Sequence, residues 1–115
     1  METTLQSIFN TVYTGLLAQN KKSMDGIFCA YRGKGGTKCA AGLVITDDEY
    51  DPKMDDSSLD CSVKGLERAK LLPKRLKPFV NELSSLQNIH DCFEPVLWKE
   101  RLEHFAAKHE LQIPT

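Results

Sequence analysis

The N-terminal segment contains an apolar stripe with the period of an α-helix, so the chain must begin with a helix packed against a core. The stripe occupies positions i, i+3, i+4, i+7, i+8 and i+11, which are Leu5, Ile8, Phe9, Val12, Tyr13 and Leu16. This spacing places all six side chains on one side of a helix. A hydroxyl of Thr3 or Thr4 can cap the start of the helix. The polar run Asn20 to Lys22 gives it a cationic end, which is favourable at a helix C-terminus.

The C-terminal part of the chain contains two more stripes of this kind. The first is Phe79, Leu83, Leu86, His90 and Phe93; the second follows Pro95 and is Val96, Trp98, Leu102, Phe105 and Ala106. The link over residues 92–94 is short, which predicts an αα-hairpin. Residues 66–72 predict a shorter helix. At 115 residues the chain predicts a single domain, residues 1–115, with a mainly α (α+β) fold of about three principal helices and a small β-hairpin.

A glycine-rich loop interrupts the predicted helical pattern, and we place the β-hairpin around it, near residues 27 to 45. Residues 27–31 predict a short strand, whereas residues 38–45 fit either a return strand or a helical turn. The loop contains three glycines and three cations: Tyr31, Arg32, Gly33, Lys34, Gly35, Gly36, Thr37 and Lys38. Glycine allows successive N–H groups to point the same way, which favours anions.

These eight residues are therefore the candidate binding site for a phosphate or carboxylate group, although they also fit a solvated hairpin turn. Tyr31 could stack on a base or on the arginine plane. A second basic cluster could add another contact to an anion if the fold brings it near; it consists of Lys74, Arg75 and Lys77.

An acidic segment, residues 46–56, holds six carboxylates in eleven residues. It lacks the glycine and the closing glutamate of an EF-hand, so it does not predict a calcium loop. Thr46 and Glu49 have the spacing of a capping box, which predicts a short acidic helix or turn ended by Pro52. The segment is also an alternative site for binding a protein partner, through Asp47, Asp48, Glu49, Tyr50 and Asp51.

The cysteines and histidines predict neither a metal site nor a catalytic site. Four cysteines without a close pair are typical of reduced, buried thiols in an intracellular protein. The best metal set is Cys29, Cys39, His90 and Cys92, but His90 and Cys92 would diverge on a helix. His90 lies on an apolar face and is predicted to be buried and hydrogen-bonded. We therefore expect no cofactor and no catalytic residue, with a small enzyme or a zinc-stabilised module as the second alternative.

The charge balance argues against duplex nucleic acid as a partner. Lys and Arg number 15 against 16 Asp and Glu, for a net charge of −1, so the protein lacks the field that holds DNA. No apolar run approaches the roughly 20 residues of a membrane span. The N-terminus lacks a basic and then apolar leader, so the sequence predicts a cytoplasmic location.

Four motifs carry a resemblance to a known group of proteins. They are Cys29-x-Tyr-Arg-Gly, Lys38-Cys-Ala-x-Gly, Ile45-x-Asp-x-x-Tyr-Asp-Pro-x-Met and Leu86-Gln-x-Ile-His-Asp. Over about residues 5 to 110, the chain resembles small accessory proteins carried by tailed phages and prophages. The resemblance implies a non-catalytic protein that blocks a host process or an antiviral defence in the bacterial cytosol.

Two mechanisms fit this context. In the first, the protein binds and sequesters a phosphorylated, nucleotide-type small molecule at the glycine-rich loop. In the alternative, it binds a host or defence protein directly through the acidic segment, where complementary charges would raise the association rate and the specificity.

Overall fold

A computed structural model describes residues 3–26, 28–56, 58 and 62–114. In chain order its elements are α1 (Leu5–Gln19), β1 (Met24–Asp25), β2 (Phe28–Cys29), α2 (Ala40–Val44), α3 (Val63–Arg68), α4 (Val80–Cys92) and α5 (Pro95–Lys108). Short 3₁₀ turns occupy Lys34–Gly36, Pro52–Asp55 and Lys74–Phe79. The long helices α1, α4 and α5 enclose one apolar core, so the predicted mainly α fold with a small hairpin is confirmed.

The first helix forms where its apolar stripe predicts it. Thr4 is the N-cap: its Oγ1 accepts from the backbone N–H of Ser7 at 3.0 Å, and Ser7 Oγ accepts from the N–H of Thr4 at 3.0 Å. The helix ends at Asn20, which has the left-handed φ of 52° common at helix ends. The predicted stripe faces the core, and its buried members are Ile8, Phe9, Val12, Tyr13 and Leu16.

The β-hairpin lies earlier in the chain than predicted. Strands β1 and β2 pair antiparallel with Met24 opposite Cys29, and Gly26 takes a positive φ of 67° in the turn between them. The glycine-rich loop therefore does not close a hairpin. It forms a 3₁₀ turn in which Gly35 and Gly36 have φ values of 71° and 77°, and this turn leads into a helix. The strand was predicted from Ile27, which lies outside the described residues.

Helix α2 settles the ambiguity at residues 38–45 in favour of a helix. Cys39 is its N-cap, and Sγ accepts from the N–H of Gly42 at 3.3 Å. Small residues allow this helix to lie directly against the chain that follows the hairpin. A Cβ on Gly42 would come 2.4 Å from the carbonyl oxygen of Tyr31, so only glycine fits this contact without a shift of the backbone.

The C-terminal αα-hairpin forms as predicted, with Pro95 in the first turn of α5. Trp98 is completely buried, and its Nε1–H donates to the carbonyl oxygen of Phe93 at 2.9 Å. Phe105 stacks on Phe9 with ring centroids 6.0 Å apart, which joins α5 to α1. Pro78 lies in the 3₁₀ turn Lys74–Phe79, and α4 begins directly after it at Val80.

Among the described residues, none of the helices has both the length and the apolar character needed to cross a membrane.

Candidate functional site

Arg32, the first cation of the glycine-rich loop, is turned inward. Its Nη1 donates to the carbonyl oxygen of Gly42 at 2.6 Å, and its Nη2 donates to that of Ile45 at 2.9 Å and to Asp47 Oδ1 at 3.1 Å. The guanidinium also lies over the ring of Tyr50, with Cζ 4.7 Å from the centroid. A helix C-terminus carries unpaired carbonyls and a partial negative charge. Arg32 donates to two of these carbonyls and places a positive charge at the end of α2. Its role is therefore structural.

Asp55 accepts hydrogen bonds from the backbone at the start of the same loop. One carboxylate oxygen accepts from the N–H of Tyr31 at 2.8 Å; the other accepts from the N–H of Arg32 at 3.1 Å and from the hydroxyl of Tyr50 at 2.6 Å. Burial, followed by the hydrogen bond to Asp55, raises the pKa of Tyr50 above its usual value. The motif residues Tyr-Arg and Tyr-Asp-Pro-x-Met-Asp therefore form one hydrogen-bonded network.

The rest of the glycine-rich loop divides into a packed part and an exposed part. A Cβ on Gly33 would lie 2.4 Å from Ser23 Oγ, and the buried Thr37 donates through Oγ1 to the carbonyl oxygen of Lys34 at 2.9 Å. Lys34, Gly35 and Gly36 are exposed. Lys38 is half-buried, and its Nζ lies 3.7 Å from Asp47 Oδ1. Binding of an anion at this loop stays a prediction, and its exposed residues are Lys34, Gly35 and Gly36.

The predicted second basic cluster contains another arginine with a structural role. Arg75 makes a two-bond pair with Glu49, with Nε to Oε2 at 2.8 Å and Nη2 to Oε1 at 2.7 Å. Its Nη2 also donates to the carbonyl oxygen of Val44 at 2.6 Å. The bonds from Arg75 lower the pKa of Glu49 to about 2. Arg75 therefore caps α2 beside Arg32, and its donors point to the protein instead of to a ligand.

The acidic segment folds largely onto itself and its neighbours. Thr46 and Glu49 make the two reciprocal bonds of a capping box, at 3.0 and 3.3 Å, but around a turn and not a helix. Pro52 begins a 3₁₀ turn, and Asp51 caps it by accepting from the N–H of Lys53 at 2.9 Å. Partner binding through this segment stays a prediction. Of the five residues predicted for it, the exposed ones are Asp48 and Asp47, whose side chain is 83% exposed although its Oδ1 pairs with Arg32.

His90 is completely buried, as predicted. Its Nε2 accepts from the backbone N–H of Ser23 at 3.0 Å, and its Nδ1 lies 2.7 Å from Asp91 Oδ1. A backbone N–H can only donate, so Nε2 must supply the lone pair and Nδ1 must carry the proton. The ring stacks on Trp98 with centroids 5.4 Å apart. His90 therefore links α4 to Ser23, the residue that directly precedes β1.

A possible metal cluster lies here, but His90 is poorly suited to it. Ligand atoms of Cys29, His90 and Asp91 lie within 4.8 Å of one another. A neutral imidazole has one lone pair, and Ser23 already occupies it. A metal at either ring nitrogen would have to break the bond from Ser23 or displace the proton shared with Asp91.

The cysteines are less buried than the sequence suggests. Cys29 and Cys92 are exposed, so the expectation of four core thiols was wrong for these two. Cys39 is buried, and burial raises its pKa to about 12. Desolvation and the neighbouring Asp91 raise the pKa of Cys29 to about 11. A thiol of this kind is protonated at neutral pH and is a weak nucleophile. Cys61 lies outside the described residues.

A cavity of about 300 Å³ lies between α4 and the segments around the hairpin and the start of α3. We call it the central pocket. One wall is a polar stripe of α4 at positions i, i+3, i+4 and i+7, namely Ser84, Gln87, Asn88 and Asp91; the remainder is Cys29, Ala30, Tyr31, Cys39, Ser62 and Val63. Ser84 Oγ is buried and has no hydrogen-bond partner among the described residues. Buried hydroxyls normally have partners, so this one is available to a ligand.

The central pocket contains a carboxylate group. Asp91 is the charged group among its described lining residues. Its Oδ1 accepts from His90 and from Gln87 Nε2 at 3.0 Å, and the carboxylate has about four acceptor positions in all. Gln87 uses one N–H and one oxygen lone pair within the protein, because Nε2 donates to Asp91 and Oε1 accepts from the N–H of Ala41 at 2.9 Å. The pocket therefore favours groups that donate hydrogen bonds.

The sequence contains a signal for this pocket in the spacing of polar residues along α4. Ser84, Gln87, Asn88 and Asp91 have helical spacing on the side of α4 next to its apolar stripe. Such a polar stripe ordinarily faces water. It becomes a pocket wall here because the hairpin and α3 pack across it, which periodicity alone does not reveal.

No family model matches the chain, and no curated protein or solved structure matches it either.

Proposed function

We propose that the protein is a non-catalytic accessory protein that binds and sequesters a nucleotide-type small molecule, with the base or nucleoside part in the central pocket. The observation that carries this proposal is the polar stripe of α4, where a buried, unpartnered Ser84 hydroxyl lies in the same wall as Asp91. A cavity of about 300 Å³ is at the lower end of the size range of small-molecule sites.

The chemistry of the lining favours a ring that carries N–H groups. Asp91 can accept a further hydrogen bond, Ser84 can donate or accept one, and the exposed amide of Asn88 can do both. No lysine or arginine is among the described lining residues, so a phosphate group would lie outside the pocket. Lys22 is a suitable contact there, because its Nζ is 3.2 Å from the carbonyl oxygen of Asp91.

The hydrogen bonds around His90 support binding over nucleophilic catalysis. A catalytic thiol needs a base with a free lone pair. The lone pair of His90 accepts from Ser23, and the pKa of Cys29 is raised to about 11. Neither group is in a state that would generate a nucleophile.

The biological setting of the proposal rests on the resemblance to phage and prophage accessory proteins. In that setting, sequestration of a nucleotide signal would block a host process or an antiviral defence inside the bacterial cytosol. The alternative in the same setting is direct inhibition of a host protein through Asp47 and Asp48.

Calorimetric titration with the four ribonucleosides and their 5′-monophosphates tests the proposal. We expect at least one of these compounds to bind, with its affinity reduced by Asn88→Ala and by Ser84→Leu, which fills the pocket. Loss of one neutral hydrogen bond of about 1 kcal/mol corresponds to roughly fivefold weaker binding. Asn81→Ala is the matched control, because Asn81 is an exposed asparagine of the same helix that does not line the pocket.

Two results would count against the central pocket. One is the absence of binding by all eight compounds. The other is equal binding by the wild type, Asn88→Ala and Ser84→Leu. If a host protein is retained by the wild type and lost from Asp47→Asn/Asp48→Asn, direct inhibition becomes the better explanation.

A further inference from the structure

A second cavity of about 180 Å³ lies in the groove between α4 and α5, and we propose that it binds a phosphomonoester group. We call it the basic pocket. Its lining is Ser85, Ile89, Arg101, His104, Phe105, Lys108 and His109. Arginine, lysine and two histidines surround it, and none of these described lining residues is acidic. The proposal does not depend on the central pocket, since the two cavities share no described lining residue.

The basic side chains of this pocket are brought together by the geometry of α5. Arg101, His104 and Lys108 are at i, i+3 and i+7, which places them on one side of the helix. His109 follows at the C-terminal end of α5, where the helix dipole also favours a positive charge. A ligand in the groove would meet all four side chains.

These cations are not neutralised by the part of the chain that the structure describes. Neither Arg101 nor Lys108 makes an ion pair there within 4.0 Å. Arg101 lies over the ring of Phe93, with Cζ 4.4 Å from the centroid. Arg101 makes no hydrogen bond or ion pair within the described part of the chain, so its N–H groups can donate to an anion.

Glu103, one of the two glutamates of α5, makes its contacts with other parts of the molecule. Glu103 Oε2 accepts from the hydroxyl of Tyr13 at 2.8 Å and pairs with Lys99 at 3.4 Å. Both contacts lie on the side of α5 that faces α1 and solvent. The groove therefore keeps a local excess of positive charge on a chain whose net charge is −1.

The inner wall of the basic pocket is apolar, which strengthens its attraction for an anion. Ile89 and Phe105 are buried, and the ring of His109 covers Phe105 with centroids 4.2 Å apart. Charge-assisted hydrogen bonds are stronger where water is partly excluded. A phosphate dianion matches the planar fork of Arg101 and the point charge of Lys108. In contrast, Arg32 of the glycine-rich loop has its donors committed to carbonyls of α2.

Nuclear magnetic resonance titration of the full chain with inorganic phosphate and with phenyl phosphate tests this inference. We expect saturable shifts of the amide signals of Arg101 and Lys108 and of the imidazole signals of His104 and His109. The double variant Arg101→Ala/Lys108→Ala should bind at least about tenfold more weakly, because it loses two charge-assisted contacts. Lys99→Ala is the matched control, since Lys99 is an exposed lysine of α5 outside the groove.

A comparison of 5′-AMP with a phosphoserine peptide distinguishes the possible sources of the group. Tighter binding of the nucleotide indicates a small metabolite, and tighter binding of the peptide indicates a phosphorylated protein; either result supports the site. The inference is overturned if neither phosphate nor phenyl phosphate shifts these signals. It is also overturned if Lys99→Ala weakens binding as much as the double variant does, which would indicate only general attraction to positive charge.

Discussion

Replacement of His90 by alanine should be among the most damaging single changes in this protein, because this buried side chain joins three parts of the fold. The ring accepts from the N–H of Ser23 at 3.0 Å, contacts Asp91 at 2.7 Å and stacks on Trp98. His90→Ala removes all three interactions. It also leaves the N–H of Ser23 buried without a partner.

The expected loss in the free energy of unfolding is the sum of the contributions of these contacts. An unsatisfied buried N–H costs about 1–3 kcal/mol, and a hydrogen bond to a charged group contributes about 1.5–3 kcal/mol. The lost ring contact adds about 0.5–1.5 kcal/mol. Part of this loss is recovered by relaxation, so we expect His90→Ala to lower the free energy of unfolding by about 3–5 kcal/mol. A domain of this size has about 5–15 kcal/mol in total.

The assay is urea denaturation followed by circular dichroism, with Trp98 fluorescence as a second probe. His90→Gln is an informative companion variant, because its Oε1 can take the place of Nε2 and accept from Ser23. It should recover part of the loss. His104→Ala is the control on an exposed histidine and should change the free energy by less than about 0.5 kcal/mol. If His90→Ala and His104→Ala prove equally mild, the assigned hydrogen bonds of His90 cannot be important to the fold.

Two further predictions concern titratable groups. The pKa of Glu49 is about 2 in the folded protein against an ordinary 4.5, so its pair with Arg75 stabilises the fold above pH 4.5 and this stabilisation is lost as the pH falls toward 2. The free energy of unfolding, plotted against pH, should therefore fall less steeply between these pH values for Glu49→Gln than for the wild type. Equal slopes would contradict the lowered pKa of Glu49. Cys29 and Cys92 are both exposed, but the pKa of Cys29 is raised to about 11. Iodoacetamide at pH 8 should modify Cys92 first, Cys29 slowly and the buried Cys39 only after unfolding, as mass spectrometry of timed samples can show. Faster modification of Cys29 than of Cys92 would contradict the raised pKa of Cys29, which desolvation and then Asp91 produce.

The sequence by itself determined the long helices and their buried faces. The apolar stripes of α1, α4 and α5 repeat at the helical period over several turns. A helix with such a stripe is stabilised when the apolar side is buried in the core. The burial of His90 and Trp98 followed from the same patterns, and the C-terminal hairpin followed from Pro95 and the short link before it.

The local sequence pattern was not enough to predict the structure of short segments. The strands contain two residues each, and the glycine-rich loop fits a hairpin turn as well as a 3₁₀ turn. Which of these forms depends on α2, whose approach to Tyr31 requires Gly42. That contact joins residues from two elements, so no periodicity within either one predicts it.

The tertiary structure alone decided which charged residues are available for function. Arg32 and Arg75 look like anion-binding cations in the sequence, but each donates to carbonyl oxygens at the end of α2. Conversely, the stripe at Ser84 to Asp91 and the basic side chains at Arg101 to His109 look like ordinary helix surfaces, but neighbouring elements make them the walls of pockets. A side chain's type sets what it can bind, whereas its availability depends on which groups the fold places within hydrogen-bonding distance.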